Sequence, residues 1–129
     1  MRVQTQVRRP PPSLVRAWRP AMERLVRTWN TIGAQVPDLE ITSWYRSPAY
    51  NAATAGAAAF SQHTIGCAMD AKSARIGKAR LLTLVSSVAA RNGCTALGSE
   101  GTAVHVQALP NGTVRAFAQR QPAAYYQPS

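Results

Sequence analysis

Ser61-Gln62-His63-Thr64-Ile65-Gly66-Cys67-Ala68-Met69-Asp70-Ala71 sets a histidine and an aspartate seven residues apart, with a glycine between them. Cys67–Ala71 is short and mostly apolar and reads as a buried strand, and Gly66 is a turn able to reverse the chain ahead of it. That pairing of a turn-borne imidazole with a strand-borne carboxylate decides how the rest of the chain is arranged.

C-terminal to this stretch, Ile76, Leu81, Leu82, Leu84, Val85, Val88 and Ala89 follow a helical period closed by Asn92-Gly93. Short strands follow near Cys94–Leu97 and Ala103–Leu109. Pro110-Asn111-Gly112 predicts a hairpin turn into a last strand, Thr113–Ala118. On the N-terminal side, AGAAAF at 55–60 is a small-residue loop. Ser47 and Pro48 suit the cap and first residue of a short helix through about Thr54. Leu39–Trp44 alternates as a strand. Pro20 opens a helix to about Ile32, where Met22, Leu25, Val26 and Trp29 share one face, Gly33 stops it, and Ser13 caps a short turn before it. Residues 1–12 read as a basic arm ending in Pro10-Pro11-Pro12, residues 13–118 as the folded domain, and 119–129 as a polar tail. The fold expected is α+β: a small antiparallel sheet with helices packed on one side.

At 129 residues and 46% hydrophobic the chain suits one core, and no apolar run approaches the length of a bilayer span. The first residues lack a continuous apolar region, so a secretory signal is not expected. Cys67 and Cys94 are too few for a disulfide scaffold and fit no CxxC motif; two buried thiols, or one bridge, are open. Fifteen Lys+Arg against five Asp+Glu give a net charge of +10, a field that draws polyanions without choosing among them. The arginines are scattered and no nucleic-acid-binding motif is present, so specific nucleic-acid binding is not expected.

Acid/base or metal chemistry has few groups to draw on: His63, His105, Glu23, Asp38, Glu40, Asp70 and Glu100. In Ala103–Leu109, alternation turns Val104 and Val106 one way and His105 and Gln107 the other. Two neutral imidazoles and a carboxylate suit a catalytic zinc with an open fourth position. Composition alone favours the plainer reading, three polar residues beside a core, because lone histidines are usually not ligands.

Three segments carry a resemblance. Ile41-Thr42-Ser43-Trp44-Tyr45-Arg46-Ser47-Pro48-Ala49-Tyr50-Asn51 is similar to the TSGYRSPxYN segment of the zinc D-Ala-D-Ala carboxypeptidases, a family that includes phage L-alanyl-D-glutamate endopeptidases and has Hedgehog domains as distant relatives. Ser61–Asp70 resembles its SxHxxGxAxD motif, and Val104-His105-Val106 its closing VHVD strand. The order and spacing agree over residues 20–109. The resemblance implies a Hedgehog-like peptidase fold and Zn²⁺ held by His63, Asp70 and His105. It implies hydrolysis of peptide bonds in peptidoglycan stems. Zinc would lower the pKa of water to about 7 and polarise the scissile carbonyl. Arg46 matches the family's arginine, which holds a substrate carboxylate, and Ser61 and Ser43 are candidate substrate contacts.

The match departs at four places. Thr102 stands where many members have a catalytic carboxylate, which leaves Glu100, on the Gly98–Gly101 loop, as the candidate base. Gln107 replaces the aspartate of VHVD, Trp44 a glycine, and Cys67 an arginine. Two functions are therefore expected in competition: a zinc peptidase, encoded by a phage and either lytic or virion-associated, and a catalytically weakened structural protein of a phage particle whose terminal arms contact neighbouring virion subunits.

Overall fold

The computed structural model describes residues 1–54, 57–58, 60–99, 101–110 and 112–120. Five strands form one sheet: β1 (Arg2–Val3), β2 (Glu40–Ser43), β3 (Ala68–Lys72), β4 (Thr95–Gly98) and β5 (Val104–Gln107). Their spatial order is β1-β2-β3-β5-β4. The helices are α1 (Pro12–Gln35), α2 (Pro48–Ala53), α3 (Gly77–Arg91) and α4 (Thr113–Arg120), with a 3₁₀ turn at Gln62–Ile65. The architecture is α+β, as expected.

The sheet is mixed rather than purely antiparallel, because β1 runs parallel to β2 while the other pairs are antiparallel. The first twelve residues, expected as an arm, carry this edge strand and lie along the domain. The Arg2 and Gln4 amides donate to Leu39 and Ile41, the Tyr45 amide donates to the Arg8 carbonyl, and Pro10 and Pro11 are buried. Arg2, which has no acid near it in sequence, pairs with Glu40.

Helix α1 is two helical pieces joined at Trp18, whose φ of −126° and ψ of 22° are non-helical. Pro20 accounts for the break, since its ring excludes a regular turn over the carbonyl four residues back. The N-cap is Pro11, not Ser13, with Pro12 preset for the first turn. The helix runs past Gly33 and ends where Val36 precedes Pro37 and is held extended. Leu25, Trp29 and Ile32 of α1 and Leu81 and Val85 of α3 are fully buried against Ile41, Ala71, Val104 and Val106 of the sheet. The Trp29 indole N–H donates to the Met69 carbonyl at 3.3 Å, tying α1 to β3.

Thr113–Ala118, expected as a strand, lies within α4. Val114 and Phe117, three apart on one helical face, are buried, and the Phe117 ring meets Trp18 edge-on at 5.1 Å. Cys67 and Cys94 are buried free thiols, and burial pushes Cys67 up to about 12. Among the described residues no helix is long and apolar enough to cross a membrane.

Candidate metal centre

Strand alternation builds the site. On β3, Met69 and Ala71 enter the core and Asp70 points to the opposite face; on β5, Val104 and Val106 enter the core and His105 does not. Asp70 and His105 are register partners across the β3–β5 ladder. The third group arrives on the 3₁₀ turn. Ser61 caps it by accepting the His63 N–H at 3.2 Å, and Gly66 closes it in a left-handed conformation, φ 76°. A Cβ on Gly66 would stand 2.3 Å from Pro10 Cγ, so both the turn and the N-terminal segment require glycine here.

His63 Nε2 lies 3.2 Å, and His105 Nδ1 2.9 Å, from Asp70 Oδ1. One ligand atom from each of the three residues falls within 4.8 Å of the others, so the set could hold a metal ion. Trp44 supplies a backbone carbonyl 2.6 Å from His63 Nδ1. A carbonyl only accepts, so this nitrogen carries the proton and Nε2 keeps its lone pair toward Asp70. Burial holds His63 below its ordinary pKa and favours the neutral ring. Burial alone would raise Asp70, but His105 and His63, which donate to the carboxylate when their facing nitrogens carry protons, outweigh it and hold the carboxyl well below the usual range. A neutral imidazole beside an ionised carboxylate is the protonation state metal binding requires.

Asp70 Oδ2 faces Arg46, whose Nη2 is 3.5 Å away, and Arg46 Nη1 donates to Asn51 Oδ1 at 3.4 Å. Asn51 is itself buried and anchored, donating to the Ala58 carbonyl at 2.8 Å. Among the described residues these contacts are long and use only part of the guanidinium fork.

Arg46, Ser61, His63, Asp70 and His105 thus line one cleft of about 560 Å³. Ser43 does not line it; with Arg46 and Arg8 it borders a neighbouring pocket of about 260 Å³. Glu100 lies outside the described residues, and Thr102 is exposed. Trp44 turns its indole away from the cleft, donating to the Gly66 carbonyl at 2.8 Å. Four contributors were missed by sequence reasoning. Asn51 sits inside the quoted YRSPAYN segment and was available from it. The Trp44 carbonyl is backbone and carries no side-chain signal. Phe60 and Leu97, apolar and half exposed on the cleft wall, have no motif to announce them.

A family model described as Peptidase M15 matches residues 5–107. Neither a curated protein nor a solved structure matches the chain.

Proposed function

The chain belongs to the peptidase M15 family, and on that premise we propose that it hydrolyses peptide bonds in peptidoglycan stem peptides with one Zn²⁺ held by His63, Asp70 and His105. The observation that carries the proposal is the convergence of three ligand atoms within 4.8 Å at the floor of an open cleft. Two nitrogens and one oxygen match the ligand set of a catalytic zinc site. When bound, the ion supplies Lewis acidity to a scissile carbonyl and to water.

The chain's own groups do the rest. Arg46, at the cleft wall, holds a carboxylate of the stem peptide through guanidinium donors that make no contact among the described residues. Ser61 positions His63 through its backbone amide, and its place in the cleft lining also favours a substrate contact. Ser43 meets the substrate beyond Arg46, in the neighbouring pocket that both residues line. Glu100 is the general base, taking a proton from water and passing it to the leaving amine. Its support is its place in the sequence, directly after Gly98 and Ser99, which line the cleft.

A phage origin, in a lytic or particle-borne role, accords with the resemblance of the motifs to phage endopeptidases. The second reading, a structural module with weakened catalysis, is favoured by Thr102 in place of a carboxylate. The test is incubation of the zinc-loaded protein with purified peptidoglycan. New amino groups and shortened stem peptides, lost on chelation and regained with zinc, support the peptidase; stoichiometric zinc with no amino groups released supports the structural module.

A further inference from the structure

His105 could bind a cation through either ring nitrogen, and the choice is made by its neighbour. On β5 the side chains of His105 and Gln107 leave the strand on the same side, two residues apart. Gln107 Oε1 lies 2.9 Å from His105 Nε2, and Gln107 Nε2 donates to the Leu109 carbonyl at 3.2 Å. The Leu109 carbonyl can only accept, so it fixes which way the amide points, and the same oxygen takes a 2.7 Å bond from Gln62. The amide oxygen must therefore face the ring. An oxygen that only accepts requires the proton on Nε2, and an imidazole that ligates a metal has just one. Nδ1 is left with its lone pair directed at Asp70 Oδ1, 2.9 Å away. Gln107 is buried, which holds its amide in place.

We propose that Gln107 is the positioning residue that commits His105 to present Nδ1 to the metal, doing with a neutral amide what a carboxylate would do with charge. The proposal rests on the metal centre described above. Outer partners of this kind are worth about 10–100-fold in metal affinity. Gln107→Leu keeps the size and removes the acceptor; Gln107→Glu keeps an acceptor and adds charge.

The test combines zinc affinity, measured by competition with a chromophoric chelator, with long-range ¹⁵N–¹H spectra of the zinc-loaded, histidine-labelled protein. The wild-type spectrum should show His105 metal-bound at Nδ1 and protonated at Nε2. Gln107→Leu should weaken zinc about 10–100-fold, while Gln107→Glu should match or exceed wild type. Zinc bound through Nε2 of His105 overturns the proposal, as does wild-type affinity in Gln107→Leu. Should Gln107→Leu fail to fold, the wild-type spectrum and the Gln107→Glu affinity decide. A wild-type chain that takes up zinc through the wrong nitrogen defeats this proposal alone; one that takes up no zinc defeats the metal centre.

Discussion

Asp70 and His105 stand opposite one another on adjacent antiparallel strands, with Oδ1 of one 2.9 Å from Nδ1 of the other. Ladder geometry fixes this pair before any ion is bound, since residues directly opposite on one sheet face are held at side-chain contact distance. The third group, His63, is brought to the same oxygen by a capped turn and a glycine that closes it.

Asp70→Asn retains the shape of the side chain and removes its charge. Zinc affinity should fall by at least about 100-fold, because an amide oxygen replaces an ionised ligand. Chelator competition measures the loss, and circular dichroism checks that the sheet is intact. Wild-type affinity in this variant would remove Asp70 from the ligand set.

Arg46→Lys substitutes a point charge for a fork. For stem peptides with a free carboxylate, kcat/KM should fall about 10–100-fold, the worth of a charge-assisted hydrogen bond. The loss should be much smaller for amidated peptides. Equal losses on both substrates would place Arg46 in the support of Asp70 rather than on the substrate.

Glu100→Gln should lower kcat by about 10²–10⁴, the usual contribution of a positioned base, with zinc stoichiometry unchanged. Steady-state rates of amine release give the first quantity and metal analysis the second. Undiminished turnover would transfer the base role elsewhere.

The metal-free protein should lose stability as pH falls below about 6.5, the ordinary histidine value. Burial lowers His63 in the folded state, so the unfolded chain takes up the proton first and gains from acidification. The His63 contribution is complete above the unfolded pKa and is lost as pH drops toward the folded one. Thermal melts of the metal-free wild type between pH 8 and pH 5 should slope accordingly, and those of His63→Gln should slope less. Parallel curves for the two would contradict the assignment.

Much of this was legible in the chain itself, for reasons that differ by element. Cys67–Ala71 is apolar and bounded by a turn, so its strand was evident, and alternation in Val104-His105-Val106 separated the imidazole from the core. Thr113–Ala118 reads as a strand from its sequence, but Val114 and Phe117 lie three apart, and their burial in the core, Phe117 against Trp18, goes with the helix. β1 is two residues long, too short for any periodicity, and exists through its hydrogen bonds to Leu39 and Ile41. In the site, the motifs supplied His63, Asp70, His105 and Arg46. The Trp44 carbonyl that sets the His63 tautomer has no side-chain signature, and Gln107, legible as a departure from a pattern on the same strand face as His105, shows its contact with the ring only in the structure.

The most direct test of the central claim is metal content by mass spectrometry on purified wild type and on His63→Ala, Asp70→Ala and His105→Ala, with wall-peptide cleavage assayed on the same samples. The account predicts one zinc per wild-type chain, neither stoichiometric zinc nor cleavage in any of the three variants, and cleavage by wild type that stops on chelation. Full cleavage by a metal-stripped wild type, or stoichiometric zinc retained by the three variants, would contradict it.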